Sequence, residues 1–363
     1  MISLPNISRP LCALLLAAIL LAACGGEDGA GDADSTASEP AATDEDTASP
    51  ETTPDAEADD GAGDGDDDEA DTAEPVVIEH RYGSTTIEGR PERIVSLDLQ
   101  WTDVLLALDL PMVASSGDPL AEGGVSPWQA DLLDPDTEIL NTSFGLDLPL
   151  EQIAALQPDL IVITFAAQTE ETYDTLSAIA PTIGPLTDDQ IEDWRSLATA
   201  AGEIFDLEDE AAALIDEADA EIAALRQELP GLDGQDYSLA NYVPGDSLVI
   251  VADPDDGAGQ LFAQLGMSID PEILDEAEGA TLGRVQLSLE RVDLLDSDLL
   301  MLLTNGVDPA EITGYDELPA VQRGSAVVLD ISTAVALNTP SPLSVPYALE
   351  RIRPALEAAA VEG

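Results

Sequence analysis

Lysine is missing from this chain of 363 residues: all eleven basic residues are arginine, against 75 aspartates and glutamates. A field of that sign repels nucleic acid and anionic lipid headgroups, so neither is a partner. Cysteine occurs only at Cys12 and Cys24, both within the first 24 residues. Everything after them is without disulfides and without thiol chemistry. The single histidine, His80, lies on a lead-in strand over residues 76–82. One imidazole and no downstream thiol leave no ligand set for a bare soft-metal site. The same shortage leaves no Ser/His or Cys/His pairing for nucleophilic catalysis, so the chain reads as no enzyme and as needing no cofactor. Aromatic residues are scarce too, at 4%.

The acids that are present fall into two groups. Twenty lie between Gly25 and Pro75, which leaves 55 beside ten arginines, a balance of −45 for the later region. Self-repulsion on that scale strains a compact state, and concentrated salt relieves it. The composition therefore predicts adaptation to high salt.

The N-terminus reads as an address. Arg9 supplies positive charge, and residues 11–23 form an apolar run too short for a stable membrane span. The run ends Leu21-Ala22-Ala23-Cys24-Gly25, which resembles a bacterial lipobox. That resemblance implies a signal peptide over 1–23 and a diacylglyceryl anchor on Cys24; two acyl chains give lasting attachment where one does not. Residues 24–75 then form an acidic, low-complexity leash that cannot bury a core. As a flexible coil of about 50 residues it spans roughly 40 Å. The Asp-rich patch at residues 64–71 has no flanking helices and no terminal glutamate, so it is not a calcium loop.

From Val76 onward, short apolar runs alternate with helical periodicity. Residues 94–97, 111–115 and 160–163 read as strands, with a helix over 102–108; the unbroken apolar run at 160–163 implies cover on both faces. Thr187-Asp188-Asp189-Gln190 has the form of a capping box opening a helix to about Ala201. A second helix, over about 207–228, spans roughly 33 Å, enough to act as a strut. Residues 237–243, 248–252, 299–303 and 326–329 read as further strands, and 347–360 as a final helix. The alternation predicts α/β architecture with mostly parallel sheets.

One internal comparison carries more than any single motif. Leu150-Glu151-Gln152-Ile153-Ala154-Ala155-Leu156 leads through Pro158-Asp159 into residues 160–163. Leu289-Glu290-Arg291-Val292-Asp293-Leu294-Leu295 leads through Ser297-Asp298 into 299–302. At an offset of 139 residues, Leu, Glu, a β-branched residue, Leu, Asp and Leu all coincide. Each segment reads as short helix, turn and buried strand, with its glutamate in the first helical turn.

These residues, with Pro91-Glu92-Arg93-Ile94-Val95-Ser96-Leu97, Gln157-Pro158-Asp159-Leu160, residues 176–182, Leu265-Gly266-Met267, Leu287-Ser288-Leu289-Glu290 and Ser341-Pro342-Leu343-Ser344, resemble the periplasmic binding proteins built on one long interlobe helix. That group carries ferric siderophores, haem and cobalamin. The resemblance covers nearly all of 79–354. It implies two Rossmann-like α/β lobes: an N-terminal lobe over 76–205, an interlobe helix over 206–230 and a C-terminal lobe over 231–363. It also implies a monomeric solute-binding lipoprotein on the outer face of the cell membrane, serving an ABC permease and ATPase complex. The ligand implied is a bulky iron chelate, a ferric siderophore ahead of cobalamin or haem; a surface sensor or scaffold on the same fold is the rival reading. Glu151 and Glu290 are the residues the resemblance assigns to docking on permease arginines.

Ligands of open α/β lobes sit beyond the C-terminal ends of strands. The residues following the expected strands are 98–101, Trp128, 141–144, Thr164 and Phe165 in the first lobe. In the second they are Asn241, Tyr242, Arg284, Thr304, Asn305 and Ser332. Aromatic faces suit flat chelates, which singles out Trp101, Trp128, Phe165 and Tyr242. Arg284 is the cation best placed to meet a negatively charged chelate, and Asn305 offers an amide.

Overall fold

The computed structural model describes residues 75–142, 147–164, 169–189, 191–277 and 283–362. The signal, Cys24, most of the leash, Phe144, Phe165 and Gln190 lie outside the described residues. The chain opens with an antiparallel hairpin, β1 (Val76–His80) and β2 (Gly83–Ile87). His80 is buried there. Its Nδ1 accepts from the backbone N–H of Tyr82, which leaves Nε2 to donate to Thr85 Oγ1 at 3.0 Å.

The first lobe holds five parallel strands: β3 (Ile94–Ser96), β4 (Ala114–Ser116), β5 (Glu138–Leu140), β6 (Leu160–Val162) and β7 (Thr182–Ile183). Their spatial order is β5-β4-β3-β6-β7. Alternate residues of one strand enter different cores. Leu160 and Val162 pack with Ile94, Trp101 and Leu197 on one face; Ile161 and Ile163 pack with Val95, Ile153 and Leu176 on the other. Period-two geometry with both faces covered is why the run at 160–163 is apolar throughout. The helices around this sheet are α1 (Leu99–Ala107), α2 (Leu150–Ala155), α3 (Glu170–Ser177) and α4 (Trp194–Phe205).

No helix begins at Thr187, and Gln190, the other half of the expected capping box, lies outside the described residues. The Thr187 hydroxyl donates to acidic oxygens of Asp189 and Glu192, and α4 starts later, with Asp193 accepting from the backbone N–H of Arg195. The helix also runs on past Ala201, through Gly202 to Phe205. Gly202 lies where α4 crosses the next helix: a Cβ there would sit 3.0 Å from that of Ala211.

That next helix, α5 (Glu208–Glu228), runs about 31 Å without glycine or proline. Ile215 and Ala218 pack against the first-lobe core, while Ile222 and Leu225 belong to the core of the second. One rigid element therefore anchors in both.

The second lobe has β8 (Asp236–Val243), β9 (Ser247–Val251), β10 (Ser268–Ile269), β11 (Arg284–Ser288), β12 (Leu299–Leu303) and β13 (Ala326–Leu329). The order is β11-β9-β8-β12-β13, with β10 added beside β8; β9 is antiparallel to both neighbours, so this sheet is mixed. Helices α6 (Gly257–Gln264), α7 (Pro271–Glu276), α8 (Pro319–Arg323), α9 (Ile331–Asn338) and α10 (Ser344–Ala359) complete it.

The internal echo has a structural counterpart. β6 lies between β3 and β7, and β12 between β8 and β13, so the two repeated strands hold the same place in their sheets. Asp159 accepts from the backbone N–H groups of Glu92 and Arg93, just ahead of β3, at 2.8 Å each. Asp298 accepts from the N–H of Asp236, at the start of β8, at 3.1 Å. The two aspartates cap equivalent strands. The helices preceding them differ: Glu151 is in the first turn of α2, whereas Glu290 precedes a four-residue 3₁₀ turn over Val292–Leu295.

Candidate ligand-binding cleft

The strand order places a topological switch beside β3, because its two neighbours lead away in opposite directions. A crevice opens there beyond the strand ends. The residues that follow the strands line it: Asp98 after β3, Gly117 and Asp118 after β4, Thr142 after β5 and Thr164 after β6. The second lobe contributes Asn241 from β8, Asp253, Asp255 and Asp256 after β9, Arg284 at the start of the antiparallel β11, and Asn338 on α9. Together the two rims enclose a cleft of about 540 Å³, within the range of small-molecule sites.

Asp98 organises the first rim. It caps α1 through the N–H of Trp101 and accepts from both the N–H and the hydroxyl of Thr164, at 2.6 and 2.7 Å. Burial pushes its carboxyl above the usual range, while these donors pull it back. Gly283 has φ +63, and a Cβ there would meet Asp253 at 2.4 Å, so the second rim closes tightly only with glycine.

A family model described as periplasmic binding protein matches residues 94–330. The chain belongs to this family. Among its relatives is the ferric enterobactin-binding periplasmic protein FepB of Escherichia coli, 29% identical over 71% of this chain and 85% of that protein. Another is the probable siderophore-binding lipoprotein YfiY of Bacillus subtilis, 27% identical over 67% of this chain and 73% of that one. A periplasmic solute binding protein from Mycobacterium smegmatis shares the fold with a TM-score of 0.67 at 28% identity, covering 79% of this chain and all but 1% of that structure. The architecture is thus the two-lobed α/β fold of periplasmic binding proteins.

Within that fold, the residues anticipated as ligand contacts separate. Trp101 does not reach the cleft: it is fully buried in the first-lobe core, because α1 turns that face inward. Trp128 packs against Tyr347 with ring centroids 5.0 Å apart and planes tilted by 56°, and donates to Asp103, which places it at the junction of the lobes. Tyr242 packs on the second-lobe core. Among the described residues, no aromatic side chain lines the cleft.

Asn305 is also off the lining. It adopts a left-handed conformation, φ 53, and its Nδ2 donates to Asn241 Oδ1 at 2.6 Å and to the carbonyl of Tyr242 at 2.8 Å. It positions Asn241 instead. Arg284 does line the cleft, but its guanidinium is held by Asp256 and by Asn338 Oδ1.

The sequence reasoning missed the loops at 117–120 and 253–256. Each places an Asp-Pro step at or just after a strand end, Asp118-Pro119 after β4 and Asp253-Pro254 after β9, which is the turn signal that marks a rim.

The lobes also meet through buried polar contacts beside the cleft. Gln100 on α1 donates to the carbonyls of Glu192 and Pro340. Asp103, on the same helix, accepts from Trp128 Nε1 at 2.8 Å, from Gln129 Nε2 at 2.5 Å and from the hydroxyl of Ser341. Complete burial pushes its carboxyl up to about 7 despite these three donors.

Proposed function

We propose that this chain is the extracytoplasmic receptor of an ABC importer, anchored through Cys24, which captures a ferric siderophore in the interlobe cleft and hands it to the permease. The observation that carries the reading is the cleft itself. It is a ligand-sized space between the strand-end rims of two lobes held by one glycine-free helix, in a chain of the periplasmic binding protein family. The names of FepB and YfiY point the same way. A chelate that already saturates iron asks the protein for no metal ligand, only for shape and peripheral contacts.

Glu151 and Glu290 are exposed on the connections entering equivalent strands, which suits a matched pair of contacts to permease arginines. Exposed ion pairs of this kind orient docking more than they add affinity. The double substitution Glu151→Arg/Glu290→Arg therefore abolishes radio-iron uptake in iron-starved cells while chelate affinity stays unchanged. Loss of affinity, or unimpaired uptake, refutes the assignment. Cys24→Ser moves the protein from the membrane to the soluble fraction, and retention at the membrane refutes the anchor.

A further inference from the structure

The charge inventory of the cleft bears on which ferric chelate it takes, an inference that rests on the function proposed above. Seven aspartates line the cleft, and one arginine. The arginine is spent inside the protein, paired with Asp256, one of the seven. Asp188 pairs with Arg81. The other five pair with no arginine among the described residues. The internal stretches outside the described residues, 143–146, 165–168, 190 and 278–282, contain no Arg, Lys or His, so no cation comes from them.

Two buried donors at the second rim nevertheless have no partner. Asn241 is 6% exposed, and its Oδ1 is fixed by Asn305, so its Nδ2 is the free end and has no partner. Arg284 Nε is likewise buried without a partner. Buried donors left unpaired are costly, and an acceptor oxygen on a ligand would satisfy them.

We propose that the cleft selects ferric chelates of zero or positive net charge that present acceptor oxygens at their periphery, the hydroxamate class, and rejects polyanionic ferric chelates. Three hydroxamates, each a single negative charge, balance ferric iron; a pendant ammonium leaves the complex cationic. Three catecholates, each doubly negative, leave it trianionic, and citrate complexes are anionic as well. A trianion entering a half-buried cleft rimmed by carboxylates meets repulsion that solvent screens incompletely. A neutral or cationic complex meets none, and its oxygens are acceptors of the kind that the unpaired Asn241 Nδ2 and Arg284 Nε lack. The preference follows from the local charge whether or not the surrounding acidity arose for another reason.

The test titrates the full-length protein in detergent by calorimetry with ferrichrome, ferrioxamine B, ferric enterobactin and ferric dicitrate, at low and at molar salt. Ferrichrome or ferrioxamine B binds about a hundredfold or more tighter than either anion at low salt, and molar salt narrows the gap. Equal or tighter binding of an anionic complex at low salt overturns the inference and leaves the importer reading intact. Failure of all four complexes to bind overturns both. Asp253→Asn/Asp255→Asn raises affinity for ferric enterobactin relative to ferrichrome about fivefold. Asp189→Asn, at an exposed position, does the same to a smaller degree. An unchanged ratio in both variants, with ferrichrome binding retained, refutes the charge argument.

Discussion

Asp103 shows how a buried carboxylate can be held in two minds. All three of its partners donate, and the hydroxyl of Ser341 has no spare capacity to accept, because it already takes the backbone N–H groups of Leu343 and Ser344. A proton on Asp103 therefore belongs on Oδ1, where the Gln129 amide must turn to present its oxygen. The hydrogen bonds favour the carboxylate, while burial and the charge of Asp98 favour the acid, and burial prevails. Because the folded value, about 7, lies above the unfolded one, the folded chain holds a proton across that interval which the unfolded chain has released. The resulting stability is complete below the unfolded value and is lost as pH rises through about 7. Asp103→Asn removes this dependence, so its melting temperature gains on the wild type between pH 5 and pH 8, by on the order of a few kcal/mol in stability. Parallel melting curves for the two proteins across that range would show Asp103 ionised throughout. No sequence pattern announces this residue, since two of its partners lie 25 and 26 residues along the chain and the third, Ser341, comes from the other lobe. Trp101 failed for the related reason that a rim position on a helix can face either way, and only packing decides.

At the level of elements, the sequence was most legible where one physical cause acts alone. A strand buried on both faces reads as an apolar run, as residues 299–303 do on β12; the apolar run at 326–329 also marks its strand, β13, although Val328 there is exposed. A helix free of glycine and proline reads as a strut, as α5 is. The capping box misled because Thr187 found acidic side chains to bind before any helix began. β5 and β7 were missed because Glu138 and Thr182 leave them only one or two consecutive apolar residues, whereas the equally short β6 is apolar throughout. The duplicated Asp159 and Asp298 repeat for a reason the sequence alone did not state: each ties the start of its lobe's first strand to the strand beside it. Asp159 serves two N–H groups that have no other role, and Asp298 one. Asp159→Ala should cost about 1–3 kcal/mol by urea unfolding, and Asp298→Ala less, each without loss of chelate affinity. A neutral Asp159→Ala would mean water replaces the carboxylate at no cost and that the echo marks ancestry alone.

At the scale of the molecule, the governing quantity is charge. The chain carries a formal −64 with no lysine, and its arginines are largely engaged by neighbouring acids, as Arg195 is by Asp193 and Asp219 and Arg353 by Glu228 and Glu357. Most carboxylates therefore face only one another across water. Their repulsion acts over the Debye length, about 10 Å in a tenth molar salt and about 3 Å at one molar. Unfolding spreads the charges apart, so dilute salt favours the unfolded chain and concentrated salt removes that advantage. Melting temperature accordingly rises from low to molar sodium chloride. Chloride is the right anion for the measurement, because sulfate stabilises almost any protein by exclusion from its surface. Screening also acts on the ligand: in the same salt series, discrimination against an anionic chelate weakens while the fold grows more stable. Opposite trends in the two readouts identify electrostatics as the common cause. A melting temperature indifferent to chloride would mean that the acidic surface is already relaxed, and that salt adaptation is not what this composition serves.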